Sequence, residues 1–150
     1  MTELFDLNHI YLNQNLSSRQ EVLEFISGKA KILMLGKNKD LIFNAFEARE
    51  NQSSTGMQNG IAMPHAISKD IQYSGVIYVS LIKPLSDWPT FDDSHVDKVI
   101  ALLAPKNEVK EHLEILSEFA SSLIDENKRK ALDKCQDKEK VLKILKLEEE

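Results

Sequence analysis

Two long apolar runs lie in the middle of the chain, at residues 75–82 and 96–103. The first is rich in β-branched and aromatic residues on both faces, which is typical of a buried strand, and the second is predicted to be another buried strand. Pro84 and Pro105 follow the runs and are predicted to end them. Residues 1–16 mix apolar and polar positions and predict a short edge strand or a packed lead-in.

Helical spacing of apolar residues appears before these runs. Ser18, followed three places later by Glu21, has the form of a capping box and predicts a helix that ends past Gly28. Asp40 is predicted to cap a second helix, with Arg49 on its apolar side. The predicted apolar face of that helix consists of Leu41, Ile42, Ala45 and Phe46. The short apolar run at residues 32–35 is not assigned by periodicity alone.

Helical spacing returns after Pro105. Asn107 is predicted to cap a helix over residues 108–124, with Glu111, Glu114 and Glu118 on its polar face and His112 at the edge of its apolar stripe. Two shorter helices are predicted at residues 128–132 and 138–145, and residues 148–150 are expected to fray. Helices that alternate with buried strands, without a repeat or linker, predict a single α/β domain over residues 1–150, built as a sheet covered by helices.

Composition narrows the classes of function. The 150 residues are 42% hydrophobic and 29% charged, with a net charge of −5. This charge, with lysines scattered among acids, argues against nucleic-acid binding. No apolar segment approaches the ~20 residues that cross a bilayer, and the N-terminus lacks the pattern of a signal peptide, so we expect a cytoplasmic protein without direct membrane insertion. The single cysteine, Cys135, is expected to be incidental in a reducing cytoplasm.

The strongest candidate for chemistry lies in the polar, glycine-containing segment from Arg49 to Ala66, which ends in Gly-Ile-Ala-Met-Pro-His-Ala. Pro64 has a fixed φ and biases Met63 toward extended geometry, so the backbone that carries His65 is predicted to be held. An unperturbed imidazole is largely neutral at pH 7 and can attack phosphorus without a separate base. His65 is therefore a candidate nucleophile.

This segment, with Arg-Glu and Ser-Thr-Gly before it, resembles the phosphorylation-site sequence of the enzyme IIA component of the bacterial phosphotransferase system (PTS), in its fructose/mannitol/nitrogen-regulatory class. The resemblance covers nearly the whole chain, and the Pro-His segment is its most specific part. It implies a mixed sheet flanked by helices, phosphorylation of His65, and a second imidazole, His112, beside it. Arg49 would stabilise phosphoryl charge. Thr55, Gly56 and Gly60 are candidates for further hydroxyl and backbone N–H donors to the phosphoryl group.

The resemblance also implies the partners. The small protein HPr would donate the phosphoryl group, and an enzyme IIB component, associated with a IIC membrane permease, would accept it during sugar uptake. No cofactor or nucleotide is required. Met57 and Met63 are candidates for partner contacts, although core packing explains them at least as well.

Several alternatives stay open from the sequence. In the nitrogen-type branch of the family, the output is regulatory binding rather than transport. A domain that keeps the fold without the chemistry is a third hypothesis, which the joint presence of Arg49, His65 and His112 disfavours. Each of these residues also has an ordinary structural explanation, such as a cation near the end of a helix for Arg49. A metal site built from His65, His95 and His112 lacks any ligand-spacing motif, and His9 and His95 are predicted to be surface residues.

Overall fold

The computed structural model describes residues 5–107, 114, 118, 126–133 and 137–145. Within these ranges the chain forms one five-stranded sheet with helices on both faces. The strands are β1 (Ile10–Gln14), β2 (Ile61–Ala62), β3 (His65–Ser68), β4 (Gly75–Leu85) and β5 (Val96–Pro105). The helices are α1 (Arg19–Ile32), α2 (Lys39–Gln52), α3 (Glu126–Asp133) and α4 (Lys138–Leu145), and a 3-10 turn at Leu7–His9 precedes β1.

The sheet is mixed, as the resemblance implied. β4 and β5 form its antiparallel centre, and β1 pairs parallel with the outer side of β4. The N-terminal segment is thus the edge strand that the sequence predicted. β2 and β3 both pair parallel with β5, as two successive segments along one edge that are separated by Met63 and Pro64. The predicted α/β fold class is confirmed.

Both faces of the central strands are buried over most of their length, which explains their largely apolar sequence. Alternate residues of β4 and β5 enter one of two hydrophobic clusters. The first cluster contains Ile77 and Val79 with the apolar faces of α1 and α2. The second contains Val76 and Tyr78 with Leu132 of α3 and Val141 and Leu145 of α4. The two shorter C-terminal helices are therefore confirmed.

The start of α1 is close to the prediction. The hydroxyl of Ser18 accepts a hydrogen bond from the backbone N–H of Glu21 at 3.1 Å. The carboxylate of Glu21 accepts from the N–H of Ser17 at 2.7 Å, rather than from Ser18 as a strict capping box requires. The run at residues 32–35 is the end of α1 and a turn. Met34 has a φ of 65° there, and Leu35 is buried.

The start and the buried face of α2 differ from the prediction. Asn38, not Asp40, is the N-cap, because its side chain accepts from the N–H of Leu41 at 3.1 Å. The buried residues of α2 are Ile42, Phe46 and Glu50, whereas Leu41 is 41% exposed. The buried face is therefore rotated away from Leu41, and Arg49 lies at its edge.

The cap at Asn38 gives a first prediction. Asn38→Ala is expected to lower the free energy of unfolding by about 1 kcal/mol, because the N–H of Leu41 loses its acceptor. Asp40→Ala should cost less, since Asp40 only complements the helix dipole. Urea unfolding of both variants measures the difference. A larger loss for Asp40→Ala would contradict the assignment of the cap.

Pro84 does not end β4, contrary to the prediction. The strand continues to Leu85, which pairs with Val96, but the register of β4 against β5 is irregular between Ser80 and Leu85. Proline has no N–H to donate to a ladder, and this irregular stretch lets the chain include one. Pro105 is the last residue of β5, as predicted.

His9 was expected at the surface but is only 6% exposed. Its Nδ1 accepts from the N–H of Asp6 at 3.1 Å, and its ring lies 6.3 Å from that of Phe5, between centroids. The imidazole thus closes the 3-10 turn before β1. His95 is exposed, as predicted.

Some predictions fall on parts of the chain outside the described residues. Of the helix predicted over residues 108–124, Glu114 and Glu118 are described, and both are helical and exposed, as expected for its polar face. His112, Cys135 and residues 148–150 lie outside the described ranges. Within the described residues, no helix has the length and apolar character needed to cross a bilayer.

Candidate functional site

The backbone that carries His65 is hydrogen bonded on both sides of Pro64. The N–H of Met63 donates to the carbonyl of Thr55 at 3.0 Å. The carbonyl of Pro64 accepts from the N–H of Leu102 on β5 at 2.9 Å. His65 then begins β3 in register with Leu102. A proline with fixed φ between two such anchors restrains the position of the imidazole.

The side chain of His65 projects toward one layer of the fold. Side chains of directly paired residues share a face of the sheet. Leu102 belongs to the second hydrophobic cluster, whereas Ala66 and its partner Leu103 belong to the first. His65 therefore lies on the face that also carries α3 and α4, and it is only partly buried.

His65 and Arg49 line the same open cleft, which has a volume of about 480 Å³. The cleft lies between α2, β3 and the turn after β3. Its other lining residues are Ala45, Ala48, Gln52, Ile67, Ser68, Lys69, Asp70 and Lys106. Two residues that the sequence singled out separately, one on a helix and one after a proline, are thus brought together beside two lysines and one carboxylate.

The guanidinium of Arg49 is held by the chain just beyond α2. Its Nη1 donates to the carbonyl of Ser53 at 2.8 Å and lies 3.4 Å from the Ser53 hydroxyl. Within the described residues these bonds use Nη1 alone, and the planar guanidinium carries further N–H donors on its other nitrogens. Arg49 is therefore placed as a fixed positive charge beside His65.

The cleft changes the protonation of His65. Burial lowers the pKa of the imidazole below its usual value, and the positive charge of Arg49 lowers that pKa further. Both effects disfavour the imidazolium. At neutral pH the ring is accordingly neutral and has a free nitrogen lone pair, which is the form that attacks an electrophile.

Burial also lowers the pKa of His9, against a smaller opposing effect of Asp6. When the pKa of a histidine is lower in the folded state, the unfolded state binds more protons. Protonation of His9 and His65 therefore destabilises the folded state. The folded state has its full stability above the unfolded pKa of ~6.5, and it loses stability as the pH falls below that value.

This linkage gives a second prediction. The free energy of unfolding of the wild type, measured in urea, should fall between pH ~7.5 and pH ~5. His9→Asn keeps an acceptor for Asp6 and should reduce that fall. An equal pH dependence in the wild type and His9→Asn would contradict a protonation penalty at His9.

Thr55 is buried, and both of its donors reach Glu50. Its N–H donates to Glu50 Oε1 at 3.2 Å, and its hydroxyl donates to Glu50 Oε2. Its carbonyl accepts from Met63, so Thr55 lies next to the Pro-His segment. Donation by Thr55 to a phosphoryl group stays a prediction, because the structure shows these two donors engaged with a carboxylate.

The two glycines have structural explanations. The N–H of Gly56 donates to the Ser54 hydroxyl at 3.1 Å, and a Cβ at this position would lie 2.0 Å from the carbonyl oxygen of Pro89. Gly60 has a φ of 76°, which favours glycine, and its N–H donates to the Ser94 hydroxyl at 2.9 Å.

The position of Gly60 separates it from the cleft. Its carbonyl accepts from the N–H groups of Asp97 and Lys98, at the start of β5. Leu102, which pairs with His65, lies four residues further along, or ~13 Å at the usual rise of a strand. Donation by Gly60 to a phosphoryl group stays a prediction, which this separation along β5 does not favour.

Other predicted features are also located. Met63 is buried in the second cluster and Met57 packs against it, so core packing accounts for both. The described residues contain no group of three His, Cys, Asp or Glu side chains that could hold a metal ion. Sequence reasoning did not assign a role to Glu50, the buried carboxylate directly after Arg49.

The fold and the cleft define a class. The structure superposes on the nitrogen regulatory protein IIA-Ntr of Neisseria meningitidis with a TM-score of 0.87 and 26% identity, over 95% of this chain and 96% of that one. It also shares the fold of the Escherichia coli enzyme IIA of mannitol in complex with phosphorylated enzyme IIB, with a TM-score of 0.78, 19% identity, and coverage of 94% and 96%. The class is an enzyme IIA-type α/β domain.

Residues 3–148 match the family described as phosphoenolpyruvate-dependent sugar phosphotransferase system, EIIA 2. The chain belongs to this family of phosphotransferase components, which confirms the resemblance drawn from the Pro-His segment. It is 34% identical over 129 residues to the nitrogen regulatory protein of Klebsiella oxytoca, covering 85% of this chain and 78% of that one. It is also 34% identical over 129 residues to the mannitol-specific enzyme IIA component of Staphylococcus aureus, covering 84% and 83%.

Longer relatives contain a similar domain. The multiphosphoryl transfer protein of Escherichia coli O6:H1 is 28% identical over 145 residues, which are 97% of this chain. The chain spans only 17% of the length of that relative.

Proposed function

We propose that this chain is a cytoplasmic phosphocarrier that accepts a phosphoryl group on His65 from phosphorylated HPr and passes it to an enzyme IIB component. The acceptor would work with a IIC permease in uptake of a mannitol- or fructose-like sugar. The observation that carries the proposal is the backbone-anchored imidazole of His65, which lines an open cleft together with Arg49. Burial and the charge of Arg49 both lower the pKa of this imidazole, which favours the nucleophilic neutral form. Family membership supplies the type of reaction.

The transfer conserves atoms and charge without a cofactor. The lone pair of one His65 nitrogen attacks phosphorus, the P–N bond to the donor imidazole breaks, and a P–N bond to His65 forms. His65 gives up the proton on its other nitrogen, and the departing imidazole of HPr takes up a proton. Because one phosphohistidine replaces another, the free energies of reactants and products are similar. Catalysis then depends on in-line positioning and on stabilisation of charge.

Arg49 has the role of charge stabilisation in this proposal. Its guanidinium is oriented by Ser53 and lines the cleft with His65, so it can bind the phosphoryl oxygens as charge spreads over them. His112 is proposed to donate a hydrogen bond to the same group. Lys69 and Lys106 add positive charge to the cleft.

Reconstitution of the relay tests the proposal. The chain is incubated with phosphoenolpyruvate, enzyme I and HPr, and its intact mass is followed. We expect one added phosphoryl group that is labile in acid and is lost when a cognate IIB domain is added. Absence of any modification, while the same donor mixture phosphorylates a control enzyme IIA, would refute the phosphocarrier function.

A second function, regulatory output, is favoured by one observation. The superposition on IIA-Ntr is closer than that on the mannitol enzyme IIA, at TM-scores of 0.87 and 0.78. In this alternative His65 is still phosphorylated, but the two forms differ in their binding to a target protein. Sugar phosphorylation in a system reconstituted with IIB and IIC favours transport. Binding of a regulator or ion transporter to one phosphorylation state favours regulation.

A further inference from the structure

Glu50 is a buried carboxylate outside the cleft that contains His65. Its side chain is 0% exposed and carries two hydrogen bonds from Thr55, one from the N–H and one from the hydroxyl. Burial of a carboxylate is unfavourable unless hydrogen bonds and an opposite charge compensate it. Arg19 supplies that charge, with its Nη1 3.9 Å from Glu50 Oε1.

Thr55 connects this carboxylate to the histidine segment. The carbonyl of Thr55 accepts from the N–H of Met63, and Met63 is followed by Pro64 and His65. Glu50 is therefore hydrogen bonded to Thr55, and Thr55 is hydrogen bonded to Met63, two residues before His65. Movement of Thr55 would be passed on to His65, because the φ of Pro64 is fixed.

The two last-turn neighbours Arg49 and Glu50 hold the same short loop from opposite sides. Arg49 donates to the carbonyl of Ser53 at the surface, and Glu50 accepts from Thr55 in the interior. The loop thus links the phosphoryl-binding cation to the backbone that positions the nucleophile. The N–H of Arg19 also donates to the carboxylate of Asp87, at 3.1 and 3.2 Å to its two oxygens, which anchors the start of α1 beside Glu50.

We propose that Glu50 is a positioning residue that acts through Thr55 and fixes the Met63–Pro64–His65 backbone. In this position the imidazole attacks phosphorus in line, and Arg49 contacts the phosphoryl oxygens. The proposal rests on the proposed phosphocarrier function. Within the described residues Glu50 does not line the cleft, and its two oxygens are bonded to Thr55, so we infer that its contribution is geometric. Small displacements of a reacting group have large effects on rate.

The geometric role separates two variants of Glu50. Glu50→Asp keeps the charge but withdraws the carboxylate from Thr55 by one methylene. Glu50→Gln keeps the length, and its amide can still bond both groups of Thr55. We expect Glu50→Asp to reduce the single-turnover rate of transfer from phosphorylated HPr about 10-fold or more. Glu50→Gln should lose less, and the KM for HPr should be unchanged in both, because Glu50 is buried.

Variants of Thr55 and a control complete the kinetic test. Thr55→Val removes the hydroxyl and should slow transfer as Glu50→Asp does. Thr55→Ser keeps the hydroxyl and should transfer at a rate close to that of the wild type. Glu47→Asp makes the same chemical change on α2, at a residue without a described hydrogen bond or ion pair, and should match the wild type. Wild-type kinetics in Glu50→Asp, or a larger loss in Glu50→Gln than in Glu50→Asp, would overturn the proposal.

Amide hydrogen exchange tests the same inference without phosphoryl transfer. In Glu50→Asp, protection of the Met63 amide should fall about 10-fold, while the amide of Leu33, at the end of α1, should be unchanged. Equal loss at both amides would show global destabilisation and would overturn a positioning role. If the wild type does not accept a phosphoryl group, the proposed function is refuted. The exchange result still reports, independently, whether Glu50 holds the Met63–Pro64–His65 segment.

Discussion

His65→Ala is expected to abolish phosphorylation by HPr completely. The substitution removes the nitrogen that we propose as the nucleophile, and no other described histidine lines the cleft. His9 is buried in the N-terminal turn, and His95 is exposed at a loop. Intact-mass measurement after incubation with the donor system should show no added phosphoryl group in His65→Ala. The wild type should take up one.

Two controls make this result specific. His95→Ala removes an exposed imidazole and should be phosphorylated at the wild-type rate. Urea unfolding of His65→Ala should show a cooperative transition, because the side chain is only partly buried. Phosphorylation of a folded His65→Ala at a rate near that of the wild type would contradict the assignment of the nucleophile.

Arg49→Gln is expected to slow phosphoryl acceptance by about 10²-fold, by loss of a preorganised charge at the transition state. The rate of Arg49→Lys should lie between those of the wild type and Arg49→Gln, since lysine keeps the charge but lacks the planar fork of the guanidinium. The matched control is Arg129→Gln, in which the arginine removed bonds Asp133 on α3 instead of lining the cleft. Single-turnover transfer from phosphorylated HPr measures each rate.

The same variant has an independent spectroscopic readout. Arg49 contributes to the lowered pKa of His65, so that pKa should rise in Arg49→Gln when the imidazole is titrated by NMR. The rise should be partial, because burial is the larger cause. An unchanged rate and an unchanged pKa would together exclude Arg49 from the site.

The sequence predicted features that depend on neighbouring residues. Continuous apolar runs identified β4 and β5, and the spacing after Ser18 identified α1. Pro64 next to His65 indicated a restrained imidazole. The meeting of Arg49 and His65 in one cleft followed from the family resemblance and from the position of Arg49 on α2.

Features set by tertiary pairing were less predictable. The irregular pairing around Pro84 and the burial of His9 depend on partners far away in sequence. Gly60 lies only five residues from His65, yet an extended chain along β5 separates them by a distance that sequence spacing does not reveal. The choice of Asn38 over Asp40 is a shift of two residues, which is the usual uncertainty at a helix end.

Glu50 shows how a functional residue can be missed. Ile42, Phe46 and Glu50 follow each other at intervals of four residues and share the buried face of α2. The spacing alone would place a carboxylate in the interior, where it needs hydrogen-bond donors. Its donor, Thr55, lies beyond the end of the helix, so only the fold shows the pair.

Phosphorylation of His65 is tested most directly by NMR of the protein labelled with ¹⁵N-histidine, before and after incubation with phosphoenolpyruvate, enzyme I and HPr. We expect the ring nitrogens of His65 to shift to the values of a phosphohistidine, while those of His9 and His95 keep the values of unmodified histidine. Appearance of the phosphohistidine signals at a different residue, with His65 unmodified, would show that His65 is not the residue that carries the phosphoryl group.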